Sequence, residues 1–155
     1  MKRNSKLILL IILLLALTGC GKHIEDTNGP EDFTLETITE EDILNGYPEV
    51  AVKQSLERDG NEYKYSVKKM TGVKEIFKGS FQNEDIAITL NTSVESGNAN
   101  IVLLYKNIIL KRFLLNAENQ VFSMTGLNGE IRILVVGESA KVNVDFIVES
   151  SKGIS

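Results

Sequence analysis

From Gly60 onward, apolar side chains recur at every second residue, and this period constrains the fold more than any other feature of the chain. The stretch "EYKYSVKKM" sets Tyr63, Tyr65 and Val67 against Lys64, Ser66 and Lys68, "DIAITL" puts Ile86, Ile88 and Leu90 on one side, and "KVNVDFIVE" does the same for Val142, Val144, Phe146 and Val148. Successive side chains of a strand point to opposite faces, so such alternation marks half-buried strands. "EIFKGSF", "NIVLLYK", "IILKRFLL", "QVFSM" and "EIRILVV" read as further strands, divided by Thr71-Gly72, Gln82-Asn83, Ser96-Gly97-Asn98, Lys106-Asn107, Asn116 to Asn119 and Leu127-Asn128-Gly129. Strands at this spacing with no helical pattern between them predict an all-β fold, an antiparallel β-sandwich of about seven to eight strands. About 90 residues, 60–150, enclose a modest core without disulfides, with Phe77, Ile88, Leu90, Ile101, Phe122, Ile133 and Val144 among its members.

Upstream of this body, Thr39 is followed three places later by Asp42, then by Ile43 and Leu44, before Asn45-Gly46. That spacing predicts a short capped helix or turn. "VAVKQSLE" reads as strand or helix, and the Asp59-Gly60 that follows favours a hairpin into the next strand. "GKHIEDTNGPED" is polar, carries Gly-Pro and has no hydrophobic period, which predicts a flexible tether. The expected organisation is therefore a leader at 1–19, a tether at 20–36, a helix or turn with a first strand at 37–58, a sandwich at 59–150 and a tail at 151–155.

At the N-terminus, Lys2, Arg3 and Lys6 precede eleven apolar residues, Leu7 to Leu17, and the small residues Thr18 and Gly19. This is the layout of a secretory signal. Eleven helical residues cover roughly 17 Å of about 30 Å of bilayer hydrocarbon, which opposes a permanent span. Leu17-Thr18-Gly19-Cys20 resembles the lipobox of bacterial lipoproteins. The resemblance implies cleavage between Gly19 and Cys20, a diacylglyceryl group on the Cys20 thiol, and localisation at the cell membrane facing away from the cytoplasm. Burial of two acyl chains suffices for stable anchoring where one is marginal.

The last hairpin, "TGLNGEIRILVVGESAKVNVDFIVE", is similar to the terminal strands of small jelly-roll domains of the pre-peptidase type, found in bacterial lipoproteins and as appendages of secreted proteases. A Gly precedes an apolar strand, and Gly137-Glu138-Ser139-Ala140 stands at the place of its turn. The middle hairpin departs from that pattern, with "LYKNIIL" in place of an Asp/Gly-rich turn, and no tryptophan ends the last strand. The resemblance implies a jelly-roll-like fold and no particular ligand.

Charge and residue usage narrow the function. Three of the 17 basic residues lie before Cys20 and none of the 21 acidic ones does, so the chain from Cys20 onward carries 14 against 21 and a net charge near minus 7. Binding to a nucleic-acid backbone draws on clustered Lys and Arg, so nucleic acid is an unfavoured partner. The single His23 and single Cys20 fall in the tether and the leader junction. Nucleophilic catalysis through a His base, or metal ligation with zinc spacing, therefore lacks its residues in the body of the chain, and no cofactor is expected. The sequence points to a non-enzymatic binding or interaction module of the cell envelope, partnered by membrane lipid through Cys20 and by an envelope protein or glycan. Tyr63, Tyr65 and Tyr105 are candidate ligand contacts, although a core role for Tyr63 and Tyr65 weighs more, since they share the Val67 face. A small envelope hydrolase is the alternative.

Overall fold

The computed structural model describes residues 35–153; Cys20, Gly19, His23 and all of the tether except residues 35 and 36 lie outside the described residues. Among the described residues four strands, β1 (Val50–Asp59), β2 (Glu62–Tyr105), β3 (Ile108–Phe113) and β4 (Gln120–Ser150), follow one helix, α1 (Glu40–Asn45). All pairings are antiparallel, so the all-β class expected from the alternation holds. Strands are fewer and longer than the seven to eight expected. Bends at several of the Gly, Asn and Ser positions carry the chain onward without ending the ladder. Asn83 and Ser139 take φ of +52° and +54°, and Gly97 takes +74°. A Cβ on Gly97 would lie 2.5 Å from the Ser139 carbonyl oxygen, so only glycine fits that close approach.

The two reversals that do end strands are two-residue hairpins. Asp59 pairs with Glu62 across Gly60-Asn61, with Gly60 at φ +60°, and Tyr105 pairs with Ile108 across Lys106-Asn107, both at positive φ. Such turns match the twist of the flanking strands. The expected Asp59-Gly60 hairpin is present, and it resolves "VAVKQSLE" as strand rather than helix.

Residues 131–147 of β4 form the centre of the sheet. The first arm of β2 pairs with it on one side (Tyr65↔Val144, Phe77↔Ile133) and the second arm on the other (Thr92↔Val144, Leu103↔Ile133). β1 lies outside the first arm, while β3 and residues 120–124 lie outside the second. One face of this strip carries Tyr65, Ile88, Leu90, Ile101, Ile133, Val142 and Val144, each 0–1% exposed and all in one cluster. Since α1 covers the other face, these side chains are covered by one another, and the sheet must curl over them. Phe122 is the exception among the expected core members, being only partly buried at the edge of the cluster. Tyr63 stacks on Phe146 with ring centroids 4.8 Å apart and meets Phe77 edge-on at 5.3 Å.

The apolar runs "NIVLLY" and "RILVV" break the alternation because these strands are buried on both faces. Ile101, Leu103, Ile133 and Val135 enter the main core, whereas Val102, Leu104, Leu134 and Val136 form a second cluster with Ile38 and Ile43. α1 is the lid on that second cluster. Its start follows from a capping box: Thr39 Oγ1 accepts from the Asp42 N–H, and Asp42 accepts from the Thr39 N–H. Gly46, at φ +87°, ends it. Ile43 is the buried side chain of the helix, and an ion pair from Arg112 on β3 to Glu40 (2.6 Å) ties it down.

Candidate functional site

Two of the three tyrosines singled out in the sequence are internal. Tyr65 is 1% exposed and donates its hydroxyl to Met70 Sδ at 3.7 Å. Burial, reinforced by the negative charge of Glu49, pushes its pKa well up, so it stays a neutral donor. Tyr63 is 6% exposed and capped by the Arg58 guanidinium 5.4 Å from its ring. Tyr105 sits half-buried at the other end of the sheet, where its hydroxyl donates to the Asn128 carbonyl at 3.0 Å and the Lys106 ammonium lies 4.9 Å from its ring. The three do not converge on one surface. No group of three or more His, Cys, Asp or Glu side chains is placed to hold a metal ion among the described residues.

What the sheet does expose is β1. Among the described residues it has one hydrogen-bonded neighbour, the first arm of β2, and all its residues are exposed except Ala51, which is partly buried. Its other edge therefore presents unpaired N–H and C=O groups to the surroundings. Val50, Val52 and Leu56 are 70%, 52% and 47% exposed. The pairing is interrupted once without a change of register: Val52 pairs with Lys69 and Gln54 with Val67, but Lys53, at φ +51°, makes no pair. From Gln54 to Asp59 the register is unbroken, with Leu56 opposite Tyr65 and Arg58 opposite Tyr63.

Close to the start of β1 the chain is fastened where it enters the domain. The Glu138 carboxylate accepts from the Glu36 N–H (2.8 Å), the Thr37 N–H (2.6 Å), the Thr37 hydroxyl (2.7 Å) and the Ile38 N–H (3.0 Å). Burial at the sheet surface pushes this carboxyl up, but the donors of Glu36, Thr37 and Ile38 outweigh it and hold the pKa at about 2. Next to it, Ser139 donates its N–H to Thr71 Oγ1 at 3.0 Å, and Thr71 pairs with Val50. Glu138 was visible in the sequence only as part of a turn; a carboxylate partner 100 residues or more away from its donors leaves no local signal. The break at Lys53 did have one, since the Lys68-Lys69 opposite it, where β2 shifts register against β4, interrupts an otherwise regular alternation.

No family model and no curated protein matches this chain. Among solved structures six chains match. One is the secreted serine protease VesC from Vibrio cholerae, 11% identical over 72% of this chain, with a TM-score of 0.44. The chain spans 26% of the length of that protease.

Proposed function

We propose that this chain is a lipid-anchored protein of the bacterial cell envelope whose β-domain is a non-enzymatic interaction module. Its partner is an extended segment of another envelope protein, added as a strand to the free edge of β1. The observation that carries this reading is that edge: six consecutive residues, Gln54 to Asp59, in regular register with β2 on one side and, among the described residues, without a strand on the other. Strand addition draws affinity from main-chain hydrogen bonds and specificity from alternate side chains, here Gln54, Leu56 and Arg58 on one face and Ser55, Glu57 and Asp59 on the other. A glycan is less suited, because sugar platforms use exposed aromatic rings and Tyr63 and Tyr65 are internal. The anchor is supported by the cationic and apolar leader ending in Leu17-Thr18-Gly19-Cys20.

A photo-crosslinking side chain at Glu57, in intact cells, tests the module. It should capture one defined envelope protein, while the same group at Lys152 should not. Equal capture at both positions contradicts strand addition at β1. Turnover of an envelope substrate by the purified chain contradicts the non-enzymatic reading.

A further inference from the structure

The break in the β1 pairing at Lys53 also gathers charge. Lys53 lies between the pairs Val52↔Lys69 and Gln54↔Val67, and so opposite Lys68. On β2 the buried positions Val67 and Met70 are three apart, which leaves both Lys68 and Lys69 exposed. Three lysines therefore occupy two adjoining register steps. Lys74, Lys78 and Lys141, on the same sheet, each pair with a carboxylate. Among the described residues Lys53, Lys68 and Lys69 have no such partner. Like charges this close in a sheet repel, and an anionic surface relieves the repulsion.

Two further observations say which surface. Val50 and Val52, beside these lysines, are more than half exposed. One or two residues beyond Lys69, Met70 pairs with Ala140 and Thr71 accepts from Ser139, next to the Glu138 that holds residues 36–38. The chain thus enters the domain at the corner that carries the lysines. Fourteen residues lie between Cys20 and Leu35, a reach of at most roughly 50 Å.

We infer that this corner rests on an anionic lipid headgroup surface, with Lys53, Lys68 and Lys69 against the phosphates and Val50 and Val52 in the interfacial layer. The inference rests on the lipid-anchoring reading. Three lysines alone bind such a surface weakly, but a tether makes the contact intramolecular and raises the effective concentration. Docked this way, the domain leaves the Gln54 to Asp59 edge, beyond Lys53, open to a partner strand.

The test uses the full chain, purified from membranes and reconstituted into vesicles of phosphatidylcholine with or without phosphatidylglycerol. Lysine reactivity toward an amine-acylating reagent is read by mass spectrometry, and flotation in high salt reports the anchor separately. Expected is about fivefold protection of Lys53, Lys68 and Lys69 on phosphatidylglycerol, lost in high salt, with Lys106 and Lys152 unchanged. Flotation without selective protection overturns the docking and leaves the anchor standing. Failure to float overturns the anchor, and salt-sensitive protection by phosphatidylglycerol vesicles then supports the lysine surface by itself. If the three lysines are already protected without vesicles and high salt exposes them, an acidic segment of the chain itself is the occupant and the inference falls.

Discussion

Glu138 is the residue whose chemistry reaches furthest, because one carboxylate satisfies three backbone donors and a hydroxyl of the segment that leads into α1. Charge-assisted bonds of this kind are worth more than neutral ones, so Glu138→Ala should lower stability by roughly 1–3 kcal/mol in urea unfolding. Its folded pKa of about 2 lies below the ordinary 4.5, so its contribution is fully present above 4.5 and fades as pH falls toward 2. Wild-type protein should therefore lose stability across that window, and Glu138→Gln should show a flatter pH profile. Glu84 and Glu95 add to the same trend, the first held low by the Ser150 hydroxyl and the second by Lys141. At the helix start, Thr39→Ala removes a cap that the Thr39 and Asp42 spacing made legible in the sequence, at a cost of about 1 kcal/mol.

At the scale of elements, α1 is too short to persist by itself, and its place depends on what it covers. Ile43→Ala should destabilise the protein by about 2–5 kcal/mol, because it opens a cavity over Val102, Leu104, Leu134 and Val136. The edge of β1 admits a sharper experiment. In Ser55→Pro and Leu56→Pro, one substitution removes a ladder donor to β2 and the other removes only a donor facing outward. The variant that keeps its thermal midpoint is predicted to lose the Glu57 crosslink; retention of that crosslink would show that the edge is not used. Period two made the strands of this region legible, as in Tyr63, Tyr65 and Val67. It could not show that Gly97 and Asn83 bend strands instead of ending them, since a bend and a reversal use the same residues. Nor could it show which apolar run lies under α1, because Val102 and Leu103 look alike until a second layer gives them different neighbours.

For the molecule as a whole, the fold class was readable because alternation is a local consequence of pleating, whereas the order of strands depends on pairings between residues far apart in the chain, such as Phe77 with Ile133. The surface features behaved the same way. The Lys68-Lys69 pair stands out in the sequence, but its meeting with Lys53 and with the Glu138 clasp is a property of the folded sheet. Together these features describe a domain fastened at one corner, charged there, and open along one edge. That description depends above all on lipid attachment at Cys20. The most direct measurement is the mass of the N-terminal peptide of the protein isolated from membranes, for the wild type and for Cys20→Ala. The account predicts a mature chain that begins at a diacylglyceryl-modified Cys20, and a Cys20→Ala protein that keeps residues 1–19 or leaves the membrane fraction. A membrane-bound wild type that begins at Met1 with an unmodified Cys20 thiol would contradict it.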